Sequence, residues 1–225
     1  MTAASFPIDL LWLLPIAAVS ALLVRMLWEP RHPETTHTQL GDGGHFLRVL
    51  LLSDLHAGLN QLSVKHLLRA VSDSGADVLL FAGDACSGRY DANKAARILS
   101  SLGTAAANTG VPAFAVPGNH DRPLDGQRFA SAGIPLLRNQ TAVVPARDGR
   151  LWKITGLDDL RYGNPCVPAG DETLLIPAER TIILSHNPDA VYLLPTGTAR
   201  YLLSGHFHGG QIWMPFHFEF AYVSL

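Results

Sequence analysis

The stretch FLRVLLLSDLH, residues 46–56, begins as a short apolar run and ends in Ser, Asp and His. Two later stretches have the same form, DVLLFAGDA at 77–85 and VPAFAVPGNHD at 111–121. Between them, segments 62–75 and 91–103 carry apolar residues at helical spacing. Short apolar strands that alternate with helices are typical of parallel strands joined by crossover helices. We therefore predict an α/β fold.

The second half of the chain contains more strand and turn than helix. The sequence predicts further strands in LWKITGLDD (151–159), RTIILSHNPD (180–189) and RYLLSGHFHGG (200–210), with a short helix in QRFASAG (127–133). Together with the first half, these segments indicate two packed β-sheets flanked by helices.

The N-terminal region is strongly apolar. Residues 10–24, LLWLLPIAAVSALLV, contain no charge, and the apolar stretch continues to Trp28. A helix of this length crosses a hydrocarbon core about 30 Å thick, so we predict a transmembrane anchor over residues 1–28. A cleaved signal peptide is disfavoured because no Lys or Arg precedes the stretch, and a buried core helix is the alternative. Arg25 and Arg31 favour a single-pass membrane protein with its C-terminal domain on the cytoplasmic side.

The composition changes after this segment. Residues 29–45 are rich in Pro, Thr and Gly and predict a linker, in which His32, His37 and His45 are expected to be solvated. Residues 46–225 are predicted to form the remaining domain.

Charge and cysteine usage narrow the possible partners. The formal net charge is −2 and the pI is about 6.5, so no basic field favours nucleic acid. Cys86 and Cys166 lack metal-ligand spacing, and a single disulfide or two free thiols are both open.

The predicted strands end in small clusters of Asp, Asn and His. Because ligands bind at the carboxyl ends of strands in open α/β sheets, these clusters should converge on one rim. The candidate donors are Asp54, His56, Asp84, Asn119, His186, His206 and His208. Seven donors are too many for one tetrahedral ion and suit two ions about 3.5–4 Å apart that share a carboxylate. Mixed imidazole and carboxylate donors favour Mn, Fe, Zn or Co over Ca.

The order of these clusters resembles the five sequence blocks of the calcineurin-like metallophosphoesterase superfamily. The blocks D-x-H, G-D, G-N-H-[DE], a lone His and G-H-x-H stand here as Asp54–His56, Gly83–Asp84, Gly118–Asp121, His186 and Gly205–His208. The resemblance implies a four-layer α-β-β-α sandwich. It also implies a binuclear phosphoesterase that hydrolyses phosphodiester or pyrophosphate bonds through a metal-bridging hydroxide.

The resemblance also implies a role for each residue. Asp54, His56 and His208 would bind one divalent ion, and Asn119, His186 and His206 would bind the second. Asp84 would bridge the two ions, with Mn as the first choice among Mn, Fe, Zn and Co. His120 would act catalytically by facing the leaving group and stabilising or protonating it, and Asp121 would hold the ring of His120 and support its protonated form.

A narrower resemblance links the chain to membrane-associated bacterial phosphodiesterases. It rests on the apolar N-terminal segment and on LLSDLHAG, ITGLDDLRYG, ILSHNPD and SGHFHGGQIWMP. This group includes UDP-2,3-diacylglucosamine hydrolases and phospholipid-directed phosphoesterases. The resemblance implies a phospholipid or nucleotide-sugar lipid as the substrate, with the membrane as a partner.

The chain departs from the family pattern in two places. Phe207 stands where the subfamily usually has threonine, which alters a pocket wall and removes no ligand. Only residues 209–225 follow the last block, so we expect a truncated C-terminus in which the apolar tail from Met214 forms one strand without a partner. This shortening motivates an alternative function, an inactive binding or scaffold protein that keeps the fold.

Residues outside the five blocks receive simpler interpretations. Asn187 and Asp189 are interpreted as caps of the next helix or turn, and His66 as a structural residue of a helix. For the paired carboxylates Asp158 and Asp159, a solvated turn and a substrate-pocket loop are both open.

Overall fold

The computed structural model describes most of the predicted domain and parts of the N-terminal region. The described residues are 8–28, 31, 35–40, 46–59, 62–168, 176–208, 212–214 and 218–220. The helices are α1 (Ile8–Trp28), α2 (Val64–Ser74), α3 (Ala92–Asn108) and α4 (Gly126–Ser131). The strands are β1 (Val49–Leu52), β2 (Val78–Phe81), β3 (Ala113–Ala115), β4 (Gln140–Pro145), β5 (Leu151–Gly156), β6 (Thr181–Ser185), β7 (Tyr201–Ser204), β8 (Ile212–Met214) and β9 (Phe218–Phe220).

The first sheet confirms the predicted crossover pattern. Its strand order is β1-β2-β3 and all pairs are parallel. Helix α2 connects β1 to β2, and α3 connects β2 to β3. Every residue of the central strand β2, VLLF, is buried, as expected for a parallel strand that is covered on both faces.

The second sheet is mixed. Its order is β4-β5-β6-β7, in which β5, β6 and β7 are parallel and β4 is antiparallel to β5. The sequence reading missed β4. Its last residue, Pro145, and its partly exposed side chains are typical of an edge strand, which gives a weak sequence signal.

Two apolar clusters pack the layers together. Val78 and Leu80 of the first sheet pack with Ile154, Ile182 and Leu184 of the second sheet. The opposite face of the first sheet packs against helices α2, α3 and α4. These contacts give three layers, helix, sheet and sheet, with the carboxyl ends of both sets of parallel strands left for the polar loops.

The fourth layer differs from the α-helical layer that the resemblance implied. In the described part of the chain, Leu157, directly after β5, and Ile183 of β6 pack with Ala190, which lies in the 3₁₀ turn Pro188–Leu193. Asn187 caps this turn, since its side chain accepts a hydrogen bond from the Asp189 N–H at 2.9 Å. The capping prediction for Asn187 is therefore confirmed, and Asp189 lies in the first turn instead of acting as a cap.

Helix α1 forms where the N-terminal apolar stretch predicted a helix. It contains Pro15 in its interior and Arg25 in its last turn, and Trp12, Leu14 and Val24 are exposed. Among the helices of the described residues, none has the length and apolar character that crossing a membrane requires. The predicted transmembrane anchor over residues 1–28 is thus not supported.

The C-terminal tail also differs from its prediction. Strand β8 pairs antiparallel with β9, with Trp213 opposite Glu219, so the prediction of one unpartnered strand is wrong.

Cys86 is buried, Cys166 is exposed, and both thiols are free, which decides between the two cysteine alternatives. His37 and His66 are exposed, whereas His32 and His45 lie outside the described residues.

The packing between the two sheets is open to a direct test. Replacing Leu80, which is fully buried between them, by Ala should lower the free energy of unfolding by about 2–5 kcal/mol. Leu51→Ala is the control, because Leu51 lies on the neighbouring strand and is 38% exposed, and it should cost about 1 kcal/mol or less. Chemical denaturation measures both values. Equal losses in the two variants would show that the sheets do not pack as described.

Candidate metal centre

The polar loops after five strands meet at one edge of the two sheets. The loops after β1 and β2 are joined by a backbone hydrogen bond from the Asp54 N–H to the Gly83 carbonyl, at 2.9 Å. The loops after β6 and β7 are joined in the same way, from the Gly205 N–H to the His186 carbonyl, at 3.1 Å. The Asp54 side chain then connects the sheets, because its Oδ2 accepts a hydrogen bond from the His206 N–H at 2.9 Å. The predicted convergence on one rim is confirmed.

Five of the seven candidate ligands have an unusual backbone conformation. Positive φ angles occur at Asp54 (54°), His56 (38°), Asp84 (56°), His206 (74°) and His208 (52°). A left-handed conformation at a residue other than glycine is uncommon and costs on the order of 1–3 kcal/mol. The shared conformation turns these side chains toward one centre, and the surrounding backbone hydrogen bonds hold it in place.

Close passage of the loops depends on glycine at two points. Gly83 has a φ of 87° and a side chain there would meet the backbone of Gly118. A Cβ on Gly118 would overlap the carboxylate and backbone nitrogen of Asp84. Glycine at both positions therefore lets the loop after β3 pass directly beside Asp84.

The first group of potential ligands is Asp54, His56 and His208. One atom from each lies within 4.8 Å of the others. His56 Nε2 lies 3.2 Å from His208 Nε2, and His208 Nε2 lies 3.5 Å from Asp54 Oδ1. His56 Nδ1 is held by the Ser87 hydroxyl at 3.2 Å, so its Nε2 is the nitrogen that faces the centre.

The second group is built around His186. Its Nε2 lies 3.1 Å from Asn119 Oδ1, 3.1 Å from His206 Nδ1 and 3.3 Å from Asp84 Oδ2. One atom from each of Asp54, Asp84 and His186 also lies within 4.8 Å of the others. Asn119 and His206 thus belong to the same cluster of polar atoms as His186.

Asp84 lies between the two groups. Its Oδ2 is 3.6 Å from His56 Nε2 of the first group and 3.3 Å from His186 Nε2 of the second. Its Oδ1 accepts a hydrogen bond from the His120 N–H at 2.8 Å. The carboxylate is fixed by its backbone partner and points one oxygen at both groups.

The orientation of His186 follows from a backbone contact. His186 Nδ1 lies 2.7 Å from the Ala82 carbonyl oxygen, which only accepts, so Nδ1 must donate. In the neutral ring, Nε2 then presents a lone pair toward Asp84. Burial alone would lower the pKa of His186, but the hydrogen bond and charge of Asp84 raise it to about 9. The carboxylate of Asp84 therefore favours positive charge at the position of Nε2.

The pKa values of His56, His206 and Asp84 are shifted as well. Burial lowers the pKa values of His56 and His206, and neighbouring histidines lower them further. A lowered pKa favours the neutral ring, which is the form of imidazole that binds a metal. Burial acts to raise the pKa of Asp84, but the interactions with His186 and His120 together outweigh it and lower the pKa, which favours the ionised carboxylate.

An unpaired oxygen shows that the cluster fits a cation. Asp54 Oδ1 is buried and has no hydrogen-bond partner; in the described residues the only other such side-chain atom is Trp152 Nε1, in the core between the sheets. A buried polar atom without a partner costs about 1–3 kcal/mol. Divalent ions bound by imidazole and carboxylate would satisfy this oxygen and the lone pairs that face it.

Asp121 does not have the contact that was predicted for it. Its carboxylate accepts hydrogen bonds from the backbone N–H groups of Asp84 (2.8 Å), Gly118 (3.0 Å) and Cys86 (3.2 Å). Among the described hydrogen bonds, none joins Asp121 to the His120 ring. The role of holding that ring is therefore corrected: Asp121 joins the loops after β2 and β3. Burial and the charge of Asp84 raise its pKa to about 6, against the three N–H donors that lower it.

His120 lies at the open side of the centre. It is exposed, and its ring centroid is 5.2 Å from that of His56. The structure thus places this exposed side chain beside the first group.

Sequence reasoning missed Asp91. Its carboxylate accepts hydrogen bonds from the backbone N–H groups of Gly58 (2.6 Å), Ser87 (2.9 Å) and Gly88 (3.0 Å). These bonds join the loop that follows His56 to the loop that holds its ring. The sequence signal, an aspartate directly before α3, is the same as that of an ordinary helix cap.

The solvated-turn interpretation of Asp158 and Asp159 is wrong. Both are buried. Asp158 accepts from the Asp159 and Asn164 N–H groups, and Asp159 accepts from the Arg161 and Tyr162 N–H groups. They line a cleft of about 510 Å³ together with Gly118 and Asp121, so the loop that they fold lies beside the candidate metal centre.

The calcineurin-like phosphoesterase family model matches residues 47–210. The chain therefore belongs to the calcineurin-like phosphoesterase family, and the resemblance read from the five blocks is confirmed.

Two relatives that are named as phosphodiesterase or pyrophosphatase support this assignment. Phosphodiesterase YaeI of Escherichia coli (strain K12) is 32% identical over 179 residues, which are 75% of this chain and 63% of YaeI. UDP-2,3-diacylglucosamine pyrophosphatase LpxG of Chlamydia muridarum (strain MoPn / Nigg) is 29% identical over 229 residues, with coverage of 76% and 66%. The chain thus spans slightly less than two thirds of the length of these relatives.

A solved structure is similar over part of the chain. The crystal structure of TT1561 of Thermus thermophilus matches with a TM-score of 0.46 and 14% sequence identity, covering 71% of this chain and 81% of that chain.

The corrected role of Asp121 predicts a stability effect. Asp121→Asn replaces an oxygen that accepts backbone hydrogen bonds by an NH₂ group, so it should lower the free energy of unfolding by about 2–4 kcal/mol. The matched control is Asp73→Asn on α2, whose side chain is exposed and which should leave stability unchanged. Thermal or chemical unfolding measures both. Normal stability in Asp121→Asn would refute the role in joining the two loops.

The close approach at Gly118 gives a second test. Gly118→Ala should lower the free energy of unfolding by about 1–3 kcal/mol, because the added methyl displaces Asp84. It should also weaken metal binding, which titration with Mn²⁺ measures. Gly126→Ala is the control, since a Cβ there meets only Leu136 at 4.0 Å. Metal affinity that is the same in both variants would contradict the described packing.

Proposed function

We propose that this chain is a metal-dependent hydrolase of phosphoric esters that uses two divalent ions. The observation that carries the proposal is the position of Asp84, which points one carboxylate oxygen at both groups of potential ligands. A carboxylate shared by two ions is the arrangement used for phosphoester displacement. Membership of the calcineurin-like phosphoesterase family supports the same reaction class.

The proposed ligand sets follow the two groups. Asp54, His56 and His208 would hold one ion. Asn119, His186 and His206 would hold the other, and Asp84 would contact both. When bound, two such ions supply positive charge that lowers the pKa of water and stabilises negative charge on phosphate oxygens.

Orientation of the ligands and proton transfer are assigned to groups of the chain itself. The Ala82 backbone carbonyl orients His186 and the Ser87 hydroxyl orients His56, so that the Nε2 atom of each ring faces the centre. His120, exposed beside His56, is proposed to donate a proton to the leaving oxygen. Asp121 acts at a distance from this step, by holding the loop that carries His120.

The substrate is proposed to contain a phosphodiester or pyrophosphate bond in a lipid-linked molecule. The names of YaeI, a phosphodiesterase, and LpxG, a UDP-2,3-diacylglucosamine pyrophosphatase, support this class. Mn²⁺ is the first choice of metal, because mixed imidazole and carboxylate donors suit it.

Hydrolysis of bis(p-nitrophenyl) phosphate by Mn²⁺-loaded protein tests the proposal. His120→Ala should lower kcat by about 10²–10⁴-fold for a diester with an alcohol leaving group while metal content stays normal, because the residue donates a proton and binds no ion. The loss should be smaller for bis(p-nitrophenyl) phosphate, because p-nitrophenolate leaves without a proton. Asp84→Asn should lose both activity and metal, since it removes the negative charge that would bind both ions. The control is His66→Ala, an exposed histidine on α2, which should behave as wild type.

Two results would overturn parts of the proposal. Equal activity in wild type, Asp84→Asn and His120→Ala would exclude the proposed chemistry. Lipid-linked pyrophosphates hydrolysed no faster than soluble diesters, in terms of kcat/KM, would exclude the lipid-linked substrate and leave the reaction class standing.

A further inference from the structure

Three arginines line one cleft, and two of them lie in loops that also carry candidate metal ligands. The cleft has a volume of about 600 Å³ and lies between the start of α3 and the segment that leads into α4. Its lining residues are Arg89, Ala92, Asn93, Arg122, Pro123 and Arg128. We call it the arginine cleft.

The charge of the arginine cleft is not neutralised by its own walls. Its lining includes no Asp or Glu. The three carboxylates closest in sequence are engaged elsewhere. Asp91 and Asp121 accept hydrogen bonds from the loop backbone, and Asp125 accepts from the Arg128 N–H at the start of α4. Within the described residues, Arg89 and Arg122 form no ion pair. The cleft therefore presents net positive charge.

Two of the three guanidinium groups are held in position. The Arg122 guanidinium lies over the ring of Tyr162, 4.9 Å from its centroid. Arg128 Nη1 donates to Asn93 Oδ1 at 3.1 Å. Groups that are held before binding lose less conformational freedom when a ligand arrives. Planar guanidinium groups also match the geometry of phosphate oxygens, which they bind in pairs of hydrogen bonds.

The arginine cleft is connected to the metal centre through the chain. Arg122 follows His120 by two residues in the loop after β3, and Arg89 follows Asp84 in the loop after β2. These two loops are joined by Asp121. The loops that carry Asp84 and His120 thus also supply two of the arginines that line the cleft.

We propose that the arginine cleft binds a second anionic group of the substrate, of the phosphate class, apart from the phosphate that is hydrolysed. This inference rests on the proposed function and adds a selection rule to it. Substrates with a second phosphate are preferred over substrates with one, because the three arginines contact only the second.

Binding of non-hydrolysable phosphonates to Mn²⁺-loaded full-length protein tests this. Alkane-α,ω-diphosphonates from propane to hexane are compared by calorimetry with alkylphosphonates of the same chain length. In wild type, at least one diphosphonate should bind about tenfold more tightly than its matched monophosphonate. The triple variant Arg89→Gln, Arg122→Gln, Arg128→Gln should lose this preference. Arg97→Gln, an exposed arginine on α3 outside the cleft, should keep it.

Folding of the triple variant is checked by its thermal unfolding. The single variant Arg89→Gln, whose exposed side chain has no described partner, gives a second reading if the triple variant is unstable, and it should lower the preference by several-fold. An unchanged preference in these variants, or no preference at any chain length in wild type, overturns the proposal.

Two further measurements separate the cleft proposal from the proposed hydrolase function and from binding to a lipid surface. If wild type hydrolyses bis(p-nitrophenyl) phosphate but shows no diphosphonate preference, only the cleft proposal fails. If the preference exists without hydrolysis, the proposed function fails and the cleft stands as an anion site. Vesicles of phosphatidylglycerol and phosphatidylcholine distinguish the source of the anion. Loss of phosphatidylglycerol binding in the triple variant, with the diphosphonate preference unchanged, would assign the cleft to a lipid surface and overturn it as a substrate subsite.

Discussion

The carboxylate of Asp84 and the backbone that holds it are the constraint on which the site depends. Asp84 Oδ1 is fixed by the His120 N–H, and the Asp84 N–H is fixed by Asp121. This leaves Oδ2 directed at His56 and His186, which lie in loops that follow strands of different sheets. The packing of the two sheets, the glycine at 118 and the left-handed backbone at five candidate ligands all serve this one placement.

Much of this centre was predictable from the sequence, because the order and direction of the strands determine where its residues lie. Parallel strands end at the same edge of a sheet, so polar clusters directly after apolar runs must converge when the strands pair in parallel. The position of each cluster along the chain is enough for this prediction, and all seven candidate ligands lie at one rim of the structure. The β1-α2-β2-α3-β3 pattern was equally visible, because its apolar periodicities are strong.

The remaining features depend on choices that spacing does not encode. A carboxylate directly after His120 can turn to the ring or to the backbone, and Asp121 turns to three N–H groups. Strand β4 is an edge strand with a weak pattern, and the outer face of the second sheet is covered by a 3₁₀ turn in the described residues. The arginine cleft joins residues from separate loops, so only the folded chain brings them together.

The central question is whether two ions share the carboxylate of Asp84. Electron paramagnetic resonance of the Mn²⁺-loaded protein measures this, because two Mn²⁺ ions that both contact Asp84 would interact magnetically. A shared carboxylate predicts two Mn²⁺ per chain and a spectrum of exchange-coupled ions. One Mn²⁺ per chain, or two ions with the spectrum of isolated Mn²⁺, would contradict it.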